Sequence, residues 1–280
     1  MSVYLQPESL EEALNFLHDD SPLIAAGCTD LFATTEARTL TGPVLDVTRI
    51  PDMRGIVRTD TGWRIGGATT WSDVIRADLP PAFDMLKAAA REVGSVQIQN
   101  AGTVAGNLCN ASPAADGVPP LLALDAEVVL SSVSGTRRLA LSEFLTGVRQ
   151  TSLQPGELLT AIHIPARAAE GQSRFLKLGA RKYLVISIAM LALRLEMRDG
   201  VIKEVALAVG ACSPVAQRLT VLEDRLRGVS LAEAKETIEE TALSQWLNPI
   251  DDIRATAAYR LEAARTLMFR ALADEEGEAQ

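Results

Sequence analysis

Apolar residues fall at Leu10, Ala13, Leu14 and Leu17, the spacing of one helix face, with Ser9 placed to cap it. The short apolar run Leu23 to Ala26 then reads as a strand ending in Gly27-Cys28-Thr29-Asp30, after which Leu31 to Arg38 fits a helix capped by Thr29 or Asp30. Val44 to Val47 predicts a further strand. Ile56 to Arg58 and Trp63 to Ile65 flank the turn Thr59-Asp60-Thr61-Gly62 as a hairpin. Beyond Gly66-Gly67, Thr70 and Asp73 make a capping-box-like start to a helix ending near Arg76, and Ala82 to Val93 carries an alanine-rich helical pattern.

The periodicity breaks between Gln97 and Asp116, where Gly102, Gly106, Asn100, Asn107, Asn110, Ser112 and Pro113 crowd together, so a long loop is expected. Pro119-Pro120 opens a short helix to Leu124, and Glu127 to Leu130, Arg137 to Leu141 and Glu157 to Ile164 read as strands. Ala166 to Gln172 is small and polar, a linker. After it come three expected strands, Arg174 to Leu178, Ile186 to Glu196 and Val201 to Ala208, then helices at Leu231 to Leu243 and Ala255 to Ala273. The acidic end, Asp274 to Gln280, is expected to fray. The order implies an α+β protein. Its first domain spans 1–171, and a small α+β domain of three antiparallel strands and helices spans 172–280.

A chain of 280 residues, 48% hydrophobic and 22% charged, is globular and long enough for about two domains. The net charge of −9, with no long Lys/Arg block, excludes nucleic acid as an expected partner. No basic side chain precedes Arg38, so a targeting leader is not expected and the mature chain should begin at Met1 or Ser2. The apolar stretches Val118 to Leu124 and Val185 to Leu193 fall short of the roughly 18 residues of a membrane helix. Cys28, Cys109 and Cys212 are too far apart for a clustered metal or iron–sulfur site, and they suit a reducing cytoplasm. With only His18 and His163 available, neither a metal site nor a nucleophile–His–acid triad is expected, and no residue is nominated as catalytic. The chemistry should be borrowed from a cofactor.

Two stretches could hold one. In Ala25-Ala26-Gly27-Cys28-Thr29-Asp30-Leu31 a strand feeds a small-residue turn and a helix start, which points backbone N–H groups at a ligand such as a diphosphate. The alternative is a plain tight turn in which Asp30 caps the helix, and that carboxylate disfavours a phosphate directly beneath it. The segment from Gln97 to Asp116 supplies two glycines, many amides and hydroxyls and one carboxylate, the equipment for a polyhydroxylated ligand or for a self-satisfied Ω-loop.

The turn AAGCTDL, the segment IGGATTWSDV, the loop QIQNAGTVAGNLCNASPAADGVPPLLALDAEV and the strand GELLTAIHIP followed by FLKLGARK occur in that order. Together they resemble the FAD-binding medium subunit of molybdenum hydroxylases, the family of xanthine, carbon monoxide, nicotinate and aldehyde dehydrogenases, from about Tyr4 to Tyr259-Arg260. The resemblance implies a vanillyl-alcohol-oxidase-type (PCMH-like) fold, two α+β subdomains of about 1–57 and 58–171 around an extended FAD plus a small C-terminal domain. It carries Ala26, Gly27, Cys28, Thr29 and Asp30, flanked by Ala25 and Leu31, onto the diphosphate turn, and Thr103, Val104, Ala105, Gly106 and Asn107 onto a second FAD segment. Asn110 and Asp116 match ligand-contacting positions, Leu159 one that packs near the flavin ring, and Lys177 a lysine close to it, whose charge would raise the flavin potential. Cys28 and Ala105 stand where relatives often have glycine. Ala105 is expected to keep an ordinary backbone angle, leaving the sharp turn to Gly102 or Gly106. Arg181, Cys109, Cys212, both histidines and the three tryptophans are assigned to structure.

The resemblance also implies partners: a large molybdopterin-binding subunit and a small iron–sulfur subunit, whose electrons reach FAD here and leave to NAD or another acceptor. The chain lacks the clustered cysteines of relatives with an extra iron–sulfur insertion. Two rival readings are a free-standing flavoprotein oxidase of the same fold and an assembly subunit with a degenerate FAD site.

Overall fold

The structure, a computed structural model, describes residues 3–35 and 40–278. The expected start at Met1 or Ser2 lies outside the described residues, as do residues 36–38 of the helix expected over Leu31 to Arg38, which already ends at Thr34 because Thr35 is extended. Strands β1 (Tyr4–Leu5), β2 (Leu23–Ala25) and β3 (Val44–Asp46) form a parallel sheet in the order β1-β3-β2. Helix α1 (Leu10–Asp20) is capped by Ser9, whose Oγ accepts the Glu12 N–H at 3.2 Å. Its stripe of Ala13, Leu14 and Leu17 is buried in one cluster with Leu45, Val47, Ile50 and Met53. After the glycine turn comes one helical turn, α2 (Leu31–Thr34).

The hairpin of β4 (Ile56–Thr59) and β5 (Gly62–Gly66) leads into α3 (Trp71–Arg76), whose Thr70/Asp73 capping box is fully formed, and α4 (Asp84–Glu92). The stretch expected to be a loop is irregular over residues 111–117, and its first part is instead two short helices, α5 (Val96–Ala101) and α6 (Val104–Asn110). Ser95 and Thr103 cap them and outweigh the glycines and asparagines within. Then follow α7 (Val118–Ala123), β6 (Glu127–Ser132), β7 (Gly135–Ala140), α8 (Leu141–Phe144), the small ribbon of β8 (Leu145–Gly147) and β9 (Gln150–Thr151), and β10 (Leu158–Pro165). The five strands β4-β5-β10-β6-β7 make an antiparallel sheet, and β10 at its centre is buried on both faces.

The C-terminal sheet has four antiparallel strands, not the three expected: β11 (Gln172–Leu178), β12 (Ala189–Arg198), β13 (Val201–Gly210) and the two-residue β14 (Gln217–Arg218), too short to show as a pattern. Alternation along β12 and β13 sorts the side chains. Leu191, Leu193, Leu195, Val205, Leu207 and Val209 pack with α9 (Thr220–Leu226), α10 (Leu231–Glu240) and α11 (Ala257–Glu278). Met190, Ala192, Ala206 and Ala208 face the opposite way, into the core that includes α7. Helix α11 runs on to Glu278, so the end expected to fray from Asp274 is helical through that residue.

Two arginines fix α7 to this sheet. Arg194 Nε donates to the Ala123 carbonyl at 3.2 Å and Arg218 Nη1 to the Leu122 carbonyl at 2.7 Å, satisfying acceptors at the helix C-terminus where positive charge is favoured. Arg218 also pairs with Asp125 at 2.7 Å and with Glu223, whose side chain is 1% exposed and accepts the Leu207 N–H at 2.7 Å. Removing the guanidinium strands a buried carboxylate. Arg218→Ala should therefore lower unfolding free energy by about 3 to 5 kcal/mol in a urea titration, whereas a loss under about 1 kcal/mol would show the pair to be solvated.

Candidate cofactor site

A cleft of about 460 Å³ opens between the parallel sheet and the antiparallel one, within the range of small-molecule and cofactor sites. The turn after β2 lines it with Ala26 through Leu31, the start of α6 with Thr103, Ala105, Gly106 and Asn107, and β10 with Leu158 and Leu159. A register shift between Leu159 and Ala161 breaks the alternation of β10 beside the cleft, as bulges near functional sites do.

The two glycine-bearing segments touch through their main chains. A Cβ on Gly27 would lie 2.0 Å from the Ala101 carbonyl oxygen and 2.7 Å from the Gly102 Cα, so only glycine permits the approach. The α5–α6 corner is tied down on its other side, Trp71 N–H donating to Gly102 O at 3.1 Å and Val104 N–H to Thr69 O at 3.0 Å. Neither Gly102 nor Gly106 has a positive φ, contrary to expectation; the corner needs glycine for closeness, not for handedness. Ala105 has an ordinary angle inside α6. Cys28 does not: its φ is +56°, the left-handed region that glycine enters freely and other residues occupy at a cost of about 1–2 kcal/mol.

The cleft's polar groups are mostly uncharged: Thr29 and Thr103 hydroxyls and the Asn107 and Asn110 amides. Asn107 Oδ1 is buried without a hydrogen-bond partner among the described residues, an acceptor on the wall that a ligand donor could satisfy. Asp30 lies at the mouth, and Glu157 is held by Arg137 at 2.6 and 2.9 Å, which keeps its carboxyl below the usual range. Burial, helped by Asp46, pushes the Cys28 thiol up, so it is not a thiolate nucleophile. Ile24, Val47, Met53 and Trp71 supply the apolar floor. A glycine turn, neutral donors and acceptors and a greasy floor fit a dinucleotide with a flat aromatic end.

Of the residues nominated from sequence, Ala26, Gly27, Cys28, Thr29, Asp30, Leu31, Thr103, Ala105, Gly106, Asn107, Asn110 and Leu159 line this cleft. Ala25 and Val104 are buried behind it. Asp116 and Lys177 lie off the lining and pair with each other, Lys177 Nζ to Asp116 Oδ2 at 2.8 Å, while Ser187 Oγ donates to Oδ1 at 2.9 Å. Burial pushes the Asp116 carboxyl up, with Lys177 and Ser187 opposing it. Met53, Trp71 and Gly67 were missed as lining residues. Gly67 had a signal, the glycine pair, since a Cβ there would meet the Leu159 carbonyl at 2.5 Å. Trp71, 1% exposed, is a core residue as assigned and also a wall. His163 is structural, bridging Glu127 and Thr61 at 3.1 Å each.

Residues 1–167 match the family described as the FAD binding domain in molybdopterin dehydrogenase, and residues 174–274 match the CO dehydrogenase flavoprotein C-terminal domain. The chain belongs to this flavoprotein family. It is 30% identical over 96% of its length to the glyceraldehyde dehydrogenase medium chain of Sulfolobus acidocaldarius, of which 96% is covered. It is 31% identical to the nicotinate dehydrogenase FAD-subunit of Eubacterium barkeri, covering 97% and 95% of the two chains. Its structure superposes on reconstituted CO dehydrogenase from Oligotropha carboxidovorans with a TM-score of 0.86 at 26% identity, covering 97% and 96%. The PCMH-like fold and the FAD cofactor expected from sequence follow, and the chain is the FAD subunit of an oxidoreductase of the molybdenum hydroxylase type. No described helix is long and apolar enough to cross a membrane, and no described group of three His, Cys, Asp or Glu could hold a metal.

Within this flavoprotein the strained Cys28 makes a direct prediction. Cys28→Gly should raise stability by about 0.5–1 kcal/mol, strain relief outweighing the added unfolded-state entropy, while Cys28→Val should lower it by more than about 1 kcal/mol. Thermal melts of the two variants check the sign, and equal melting points would show the position to be unstrained.

Proposed function

We propose that the cleft holds FAD extended, its diphosphate on the turn from Ala26 to Asp30 and on the start of α6, and its ring near Leu159. Electrons come from a small iron–sulfur subunit, fed by a large molybdopterin-binding subunit that oxidises the organic substrate, and leave to NAD or another acceptor. The complex is cytoplasmic, and the division between the cofactor domain and the C-terminal domain falls at 171/172. When bound, FAD supplies the chemistry, exchanging electrons in pairs or singly.

The chain's own residues bind and orient. The Gly27 to Thr29 turn presents main chain at close range, the Thr29 hydroxyl can donate to a phosphate oxygen, and Leu158, Leu159 and Met53 exclude water from the apolar end. No side chain here need act as acid or base. Glu157 is committed to Arg137, and Asp116 lies 2.8 Å from the Lys177 ammonium, so that pair presents little net charge to the cleft. We accordingly assign Lys177 to holding structure rather than to setting the flavin potential. The observation that carries the reading is the main-chain contact of Gly27 with Ala101, which brings both glycine segments to one cleft. The left-handed Cys28 speaks against a degenerate site, because the glycine-type backbone geometry is retained despite its cost.

Flavin absorbance of the purified chain, restored by added FAD if lost, tests the reading. Thr29→Val keeps the shape and removes one hydrogen bond, so FAD affinity should fall about tenfold, the equivalent of about 1.4 kcal/mol. Gly27→Ala should abolish flavin binding by forcing the segments apart; a folded Gly27→Ala protein with full flavin content refutes the site.

A further inference from the structure

We propose that the basic turn from Gly179 to Ile186 and the groove beside it, between α4 and β11, dock an acidic protein electron carrier. The inference rests on the proposed function, since the carrier takes what the flavin gives. Two adjoining hollows share Ala88, Phe175 and Leu176, and Lys87, Arg91, Arg181 and Lys182 line them beside Asp84 and Glu92, while the lining Lys177 is offset by Asp116. In a chain of 27 basic and 36 acidic residues, this concentration runs opposite to the overall charge. A field of that sign steers acidic partners and repels basic ones.

The turn itself is built as a presented knob. One buried carboxylate, Asp116, clamps both its stems, Lys177 at the entry and Ser187 at the exit, and the neck is closed by Ile188 N–H donating to Leu178 O at 2.7 Å. Arg181 donates to the Leu184 carbonyl, and Lys182 lies 5.2 Å from the centre of the Tyr183 ring. Between these charges Tyr183, Leu184 and Ile186 stand 61%, 56% and 53% exposed. Exposed apolar residues with a charged rim match the anatomy of a protein interface. Encounters of electron carriers use small interfaces of this kind, weak in area and set by charge. The position is apt, because Glu92 lines the groove and its neighbour Val93 lines the cofactor cleft. Two carriers, each taking one electron, balance the two that a reduced flavin delivers, with its two protons passing to solvent.

The test uses the full chain loaded with FAD and, as probe, an oxidised plant-type [2Fe–2S] ferredoxin, with binding followed by interferometry. Affinity should fall at least about tenfold between about 30 mM and about 500 mM salt, as the screening length shrinks from roughly 18 Å to about 4 Å. At low salt, the Arg181→Glu/Lys182→Glu chain should lose at least about tenfold in affinity, and Lys87→Glu/Arg91→Glu should do likewise. Arg198→Glu, exposed at the far end of β12, should change it little. Flavin content measured on the same samples separates the two readings: full flavin without ferredoxin binding overturns this inference alone, and absence of flavin overturns both. Equal losses in Arg198→Glu and in the groove variants, or NADH binding that the groove variants abolish while ferredoxin binding persists, would also overturn it.

Discussion

The cleft depends on main chain meeting main chain. At Gly27 the turn after β2 lies against Ala101 and Gly102, and at Gly66 and Gly67 the end of β5 passes beside the backbone of Met53 and of β10, where any Cβ would come within 2.4 to 2.5 Å of a main-chain atom. The Gly27 and Gly66 contacts tie the parallel sheet and the segment after it to the antiparallel half without using a side chain, and the Gly67 contact holds β5 close on β10. The lining is thereby left free to be chosen for a ligand, and the spacing of the two walls does not change when a rotamer does. A joint of this kind also explains the glycines at 27, 66 and 67: each is small because another backbone is its neighbour.

How much of this was legible follows from the range of each interaction. The α1 stripe, the β4–β5 hairpin and the Thr70/Asp73 capping box are local, and their residues announce them. The stretch from Gln97 to Asp116 reads as a loop throughout because its composition disfavours helix, yet it is irregular only beyond Asn110, and Ser95 and Thr103 are cap signals in plain view. Propensity lost there to tertiary contact, since Gly102 is fixed by Trp71 N–H and by Gly27 rather than by its own freedom. The motifs pointed to most of the cleft wall through resemblance. The pairing of Asp116 with Lys177, 61 residues apart, and the use of Trp71 as wall as well as core could not be read, because neither leaves a trace in spacing.

The C-terminal sheet reaches the cleft through α7. Alanines at 192, 206 and 208 let that helix sit close on the sheet, and Arg194 and Arg218 bind its last carbonyls. At its other end Gly117 packs so tightly that a Cβ would lie 2.3 Å from the Trp71 ring and 3.0 Å from Asn107 Oδ1. Sheet, helix, tryptophan and cleft wall thus form one continuous solid. A domain that contributes none of the residues lining the cleft nevertheless sets the position of one wall.

Asp116 sits where that solid meets the basic turn, just before the α7 N-terminus, where a negative charge is favoured. As a source of stability the buried Asp116–Lys177 pair is a poor choice, because desolvating both charges costs about what their attraction returns. An apolar pair of equal volume would do as well for packing. What an apolar pair could not do is bind two stems at once: a carboxylate has two oxygens, and here one takes the ammonium at the start of the turn and the other the hydroxyl at its end. The charge is retained for direction, fixing a surface loop to a core helix so that its exposed side chains hold their place beside the cleft.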